Sequence, residues 1–322
     1  NFAMVLVGRF SGGLALVNVI ACALFGSISG SAVAATSAIG GFMIPAMNKE
    51  GYDKNFNTAV TVTASTTGML IPPSNILIIF SLASGGVSIA ALFMAGYIPG
   101  LLVAFGLMIV CAIYAKRHNF PAGLKYSFKE GITHLLAAIP SLFLIFIVIG
   151  GIIGGYFTPT EAGAIAVIYA LILSVGVYRE ISFADLPQIL LKSVQTTAIV
   201  MLLIGASAAM SWMLSYEFIP QTFTEVILSL SENPIMILIL INIMLLVVGT
   251  FMDMTPAVLI FTPILMPIMA AMDISAVHFG IMMILNLSIG LCTPPVGSVL
   301  FVGCSIGKTT IGEVIKPLLP LY

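Results

Sequence analysis

Charge is scarce here: Asp, Glu, Lys and Arg make up 7% of 322 residues and leave a formal net charge of −1, where soluble domains carry roughly 25%. A chain so nearly neutral lacks the basic surface that nucleic acid requires. Histidine occurs three times and tryptophan once. The four cysteines, Cys22, Cys111, Cys292 and Cys304, have neither disulfide-framework nor metal-ligand spacing, and the histidines lie apart from them, so they read as small core residues. No His, Cys, Asp and Glu cluster with metal or nucleophile spacing falls at membrane depth, which makes an enzyme the least favoured class. The sequence starts at Asn1 and stops at "PLLPLY" within apolar sequence, and it is expected to continue at both ends.

What is present is apolar length. Hydrophobic residues reach 60% and the mean hydropathy is +1.19. The runs are unbroken over roughly 20 residues rather than alternating, which predicts an all-α integral membrane protein and not a barrel. Single spans are expected at 56–82, 92–115, 136–157, 161–178, 193–216 and 276–302. Regions 12–47 and 234–270 are too long for one crossing and are interrupted by "GSISGS" and "GTFMDMT". Two halves of roughly 14 residues reach about 21 Å each, so both regions read as re-entrant hairpins turning near the midplane.

The basic residues agree with that layout. With both hairpins returning to their side of entry, the loops at 47–55, 116–135, 179–192 and 303–316 share one face. They hold Lys49, Lys54, Lys116, Arg117, Lys125, Lys129, Arg179, Lys192, Lys308 and Lys316, ten of the eleven Lys and Arg. Arg9 falls on the same face. The opposite loops, at 83–91, 158–160, 217–233 and 271–275, hold none. The lysine-bearing face is therefore cytoplasmic.

Two Pro-Pro pairs, "LIPPSN" at Pro72-Pro73 and "CTPPVG" at Pro294-Pro295, lie 222 positions apart. The same offset carries Pro45 to Pro267 and Gly68 to Gly290; an offset of 223 carries Gly26-Ser27 to Gly249-Thr250. The chain thus reads as a first repeat at 12–115 (hairpin 12–47, broken span 56–82, span 92–115), connecting scaffold spans at 116–233, and a second repeat at 234–322 (hairpin 234–270, broken span 276–302, start of a last span). Five spans separate the hairpins, which inverts the second repeat. Inverted repeats with interrupted helices at matching positions are the signature of a secondary transporter whose site lies where the breaks meet.

Helix breaks survive in hydrocarbon only where protein, ions or water satisfy the freed backbone groups. Proline removes a donor and frees upstream carbonyls, while glycine lets the backbone approach a ligand. Those carbonyls with Ser27, Ser29, Thr66 and Thr67 form an oxygen set suited to a hard monovalent cation. Thr250, Asp253, Thr255, Ser288 and Thr293 offer the same in the second half. Sodium at two or more sites is the expectation. Ser31, Pro73, Ser74, Asn75, Thr255 and Pro295 are the candidate substrate contacts. Asp253 is the one acid placed deep in the membrane, where ionisable residues are costly and usually functional; the bland alternative is a cap for the half-helix that starts near Pro256. Glu161 reads as an N-terminal cap, Asn75 and Asn286 as partners of either substrate or backbone, Trp212 and span-end tyrosines as interface anchors, and the methionines as packing. No Lys or Arg lies in the expected core. An anion there needs half-helix N-termini and bound sodium as counter-charge.

At these motifs the sequence resembles the large membrane (M, or DctM-type) subunit of tripartite ATP-independent periplasmic transporters. "GSISGSAVA", "IPPS", "GTFMDMTPAVLIFTPILMPI" and "TPPVG" occur in the family's order. The resemblance implies a sodium-driven elevator in the bacterial inner membrane, a small four-helix membrane partner, and a periplasmic binding protein that delivers a carboxylate. Sialic acid is favoured over C4-dicarboxylates. It maps Ser27, Ser29 and Gly68 to a first sodium site, and Thr250, Asp253, Gly290 and Thr293 to a second. Competing readings are a stand-alone sodium/dicarboxylate symporter and a channel.

Overall fold

The computed structural model describes residues 7, 11–118, 120–121, 128–231 and 233–322. Arg9 and Lys125, assigned above to the basic face, lie outside the described residues. The chain is helical and divides into two compact units, Asn1–Gly131 with Pro220–Tyr322, and Ile132–Ile219. Five helices among the described residues are long and apolar enough to cross a membrane.

In the first unit, α1 (Gly13–Ser29) and α2 (Ala32–Lys49) form the first helix pair, broken at Gly30 and Ser31. Gly30 takes a left-handed φ of 63°, a conformation open to glycine at little steric cost. Next come α3 (Lys54–Thr67) and α4 (Asn75–Ala83), separated by a break, and α5 (Ile89–Arg117) follows. In the second unit, α6 (Phe128–Ile153), α7 (Pro159–Leu171, continued by a π turn to Val177) and α8 (Leu186–Tyr216) make up the connecting helices. Then α9 (Ile219–Leu230) leads to the second pair, α10 (Pro234–Phe251) and α11 (Met254–Ala271). The last crossing splits into α12 (Ala276–Gly290) and α13 (Ser298–Gly307), with α14 (Ile311–Leu318) set at 108° to α13.

Three details differ from the sequence reading. The arms of the helix pairs run 17 or 18 residues, about 26 Å, longer than the 14-residue halves expected, because helical hydrogen bonding continues through small and polar residues that carry little apolar signal. The segment 217–233, read as a loop, contains α9. The segment 303–316 contains the end of α13 and the start of α14, whose first turn is fixed by a capping box of Thr310 and Glu313.

Helix α3 is the polar centre of the first unit. From Phe56 to Thr67 every residue is buried, although more than half are Asn, Ser or Thr. Their hydroxyls stay in hydrocarbon by donating to carbonyls one turn back, as Thr61 Oγ1 does to Asn57 (2.8 Å) and Ser65 Oγ to Thr61 (2.7 Å). Helix α1 runs parallel to α3: Asn18 Nδ2 donates to Thr61 Oγ1 (2.7 Å), Ser65 Oγ meets Cys22 Sγ (3.5 Å), and Gly26 meets Gly68. The second repeat has the same arrangement, with α10 against α12 through Asn242 and Asn286, whose Nδ2 donates to Asn242 Oδ1, and through Gly249 and Gly290. Asn286 also donates to Met282 O (3.1 Å), so its amide is engaged by protein. The four cysteines are free and buried.

In the second unit, Thr158 and Glu161 form a capping box at the start of α7, which assigns Glu161 to the cap. Tyr169 donates to Pro140 O (2.8 Å). Trp212 is 71% exposed and stacks on Tyr216.

Candidate functional site

Each helix pair meets the break of its own repeat. At the first, α3 ends at Gly68, the chain passes the cis Pro72–Pro73 bond, and α4 restarts at Asn75. A Cβ on Gly68 would lie 2.6 Å from Ser27 N, and one on Gly30 would lie 2.5 Å from Asn75 Cβ. At the second, α12 ends at Gly290, the chain passes cis Pro294–Pro295, and α13 restarts at Ser298. A Cβ on Gly290 would lie 2.6 Å from Gly249 Cα. Gly297 N donates to Thr250 O (3.0 Å), and Ser298 Oγ donates to Asp253 Oδ1 (3.5 Å). The offset of 223 carries Gly30 to Asp253 and that of 222 carries Asn75 to Gly297, so the two junctions use equivalent positions with different chemistry.

The candidate cation residues divide accordingly. Ser27 is buried and donates to Leu24 O (2.9 Å); its counterpart Thr250 donates to Val247 O (2.7 Å). Thr67 donates to Ala64 O (2.6 Å) and Thr293 to Ile289 O (2.7 Å). A hydroxyl whose proton is committed to a carbonyl keeps its lone pairs for a cation, so these oxygens fit sodium. The structure brings Ser27 to Gly68, and Thr250 to Gly290 and, through Gly297, to Thr293. Ser29 is exposed and accepts from Ser31 N (3.4 Å). Thr66 stands apart from the Gly26–Gly68 contact: two positions before Gly68, it points elsewhere on α3. It lines a cavity of about 90 Å³ together with Thr63, Leu107, Leu285, Cys292 and Tyr322. Asp253 occupies the N-cap position of α11 without a side-chain cap bond, and its carboxylate accepts from Ser298 Oγ instead.

Among the candidate substrate residues, Ser31 caps α2 by accepting from Ala34 N (3.2 Å). Ser74 is fully buried and its Oγ has no partner. Asn75 and Pro295 are exposed, and Pro73 and Thr255 are partly buried. Helices α4, α11 and α13 begin at the breaks without a side-chain cap bond. At α13 the backbone takes the place of a cap, as Val299 N and Leu300 N donate to Leu291 O (3.2 and 3.4 Å); at α4 and α11 the partial positive charge of the helix start favours an anion. Ser288 Oγ, at the offset position of Thr66, is buried without a partner. The sequence reading missed Gly30, Gly297 and Ser298; the repeat offsets were the signal that pointed to the first two. Among the described residues, no three His, Cys, Asp or Glu are grouped to hold a metal.

Apolar spanning helices, broken at two positions that each meet a helix pair, define a polytopic membrane protein of the transporter class. Comparison with known proteins supplies the family. The model of the tripartite ATP-independent periplasmic transporter, DctM component, matches residues 1–322, and the chain belongs to that family. It is 56% identical over 322 residues to YgiK, an uncharacterized protein of Salmonella typhimurium, covering 100% of this chain and 74% of that one. It is 39% identical over 333 residues to the C4-dicarboxylate large permease protein DctM of Rhodobacter capsulatus (99% and 76%). It is also 39% identical over 321 residues to the sialic acid large permease protein SiaM of Vibrio cholerae (100% and 75%).

Proposed function

We propose that this protein is the large permease of a sodium-coupled importer in a bacterial inner membrane. It moves a carboxylate handed over by a periplasmic binding protein, alongside a small membrane subunit. The observation that carries the reading is the doubled junction: Gly68 on Gly26 and Gly290 on Gly249, each beside hydroxyls with free lone pairs and next to helix starts without side-chain caps. Sodium at Ser27, Thr67 and the Gly68 carbonyl region, and at Thr250, Asp253, Gly290 and Thr293, supplies positive charge at junctions where no Lys or Arg stands among the described residues. A carboxylate at the start of α4 is favoured when that charge is present, and this is a physical basis for coupling. The helix pairs and broken helices act as the transport domain of an elevator.

The two named relatives, for C4-dicarboxylates and for sialic acid, are equally identical to this chain. The carboxylate is what their substrates share, and the choice between them falls to the binding protein. The test is uptake of labelled sialic acid and succinate into proteoliposomes holding the full-length permease and its small partner, with and without binding protein and an inward sodium gradient. Uptake requiring both supports the reading. Uptake without binding protein favours a stand-alone symporter, and uptake indifferent to sodium overturns the coupling.

A further inference from the structure

The polar residues of α3 continue well past the junction at Gly68. A hydrogen-bonded series runs from there to the lysine-bearing end. Ser65 Oγ meets Cys22 Sγ, which contacts Asn18 Oδ1 (3.4 Å); Asn18 Nδ2 donates to Thr61 Oγ1, and Thr61 Oγ1 to Asn57 O. Asn57 Nδ2 donates to Asn48 Oδ1 (2.7 Å), one residue before Lys49. Oxygens thus recur about every turn along one side of α3, a spacing of roughly 5–6 Å.

Holding helices together does not account for this series. The second repeat fastens α10 to α12 through Asn242 alone on α10, which accepts from Asn286 and donates to Met282 Sδ (3.5 Å) among the described residues, and the positions equivalent to Asn57, Thr61 and Ser65 are Phe279, Met283 and Leu287. Two of the buried oxygens without a partner lie on α2 and α3 themselves. Asn57 Oδ1 and Thr36 Oγ1 belong to residues with 0% exposure and have no partner. A buried acceptor left unpaired is costly, and such groups in proteins take up water or an ion.

We propose that this oxygen ladder between α1, α2 and α3 is a route for water and a monovalent cation between the first junction and the lysine-bearing end. The inference rests on the sodium-coupled reading above and extends it to a pathway. The ladder is closed in this structure. A Cβ on Gly307 would lie 2.2 Å from Thr58 Oγ1, and one on Gly40 would lie 3.0 Å from Thr61 Cγ2, so passage requires α2 and α13 to move off α3. Those glycines permit the close approach and leave no side chain to obstruct its release.

The test uses the full-length permease with its membrane partner and labelled sodium. Equilibrium binding to the wild type comes first, and its absence would overturn the sodium-coupled reading itself. With binding present, Thr61→Val should keep sodium affinity within about twofold yet slow sodium exchange about tenfold, the effect of losing one oxygen contact to a cation. Thr61→Ser should restore the rate. Exchange at the wild-type rate in Thr61→Val, with binding intact, overturns the ladder. An assay free of ladder substitutions uses Cys22 alone, in a Cys111→Ala, Cys292→Ala, Cys304→Ala background. A small cationic thiosulfonate applied from the lysine-bearing side should modify Cys22 during turnover, and an inert Cys22 would count equally against the proposal.

Discussion

A Cβ placed on Gly68 would stand 2.4 Å from both the Cα and the carbonyl carbon of Gly26. Backbone therefore touches backbone where α1 reaches the end of α3, and the Gly290–Gly249 contact repeats this in the second half. Packing this close leaves carbonyls and hydroxyls, rather than side-chain bulk, at the break.

Gly68→Ala and Gly290→Ala should each force the neighbouring helix away, since the opposing atoms are backbone and cannot rotate aside. The expected cost is about 1–3 kcal/mol of stability, read as a lower melting temperature of the purified permease, together with loss of sodium-dependent uptake. Gly106→Ala, where nothing lies within 4 Å of the new carbon, should leave both unchanged.

Asp253→Asn keeps the shape of the side chain and its contact with Ser298 but removes the charge. Losing a charge-assisted contact to a cation predicts a sodium concentration for half-maximal uptake raised by about tenfold. A stability effect is not expected, because Asp253 is exposed and caps nothing. An unchanged sodium curve would remove Asp253 from the second site.

Ser74→Ala deletes a buried hydroxyl that has no partner. Removing such a group should be neutral or stabilising by up to about 1 kcal/mol, while the half-saturating carboxylate concentration rises. A thermal melt alongside uptake kinetics separates the two effects. Lower stability with unaltered kinetics would argue for a packing role alone.

Asn286→Leu strands the acceptor of Asn242 and should destabilise by about 1–2 kcal/mol. The double change Asn242→Leu with Asn286→Leu should recover most of that, as neither polar group then lacks a partner. A double-mutant cycle on thermal unfolding of the permease measures the coupling.

Much of the fold was legible in the sequence because its signals are local. Pro72-Pro73, Pro294-Pro295 and the serines and glycines around Gly30 interrupt helices wherever they fall, and the offsets of 222 and 223 tied the two halves together before any contact was known. The short amphipathic helices α9 and α14 were not legible, since their length and composition give no membrane signal. The motif also places Gly68 and Gly290 at the breaks, where each meets the backbone of its helix pair. Thr66 lies two positions before Gly68 on α3 and lines the cavity beside Thr63 and Leu107, a direction that the motif alone does not give.

By itself, then, the sequence determined a helical membrane transporter with two matching sets of breaks, because apolar length, proline and glycine act through the chain immediately around them. The tertiary structure decided which backbone meets which. It set Gly26 on Gly68, turned Asp253 toward Ser298 instead of its own helix, and buried the polar face of α3 against Asn18 and Asn48. Those pairings depend on how helices distant in sequence pack, and side-chain shape and hydrogen-bond partners settle that only when all of them are in place.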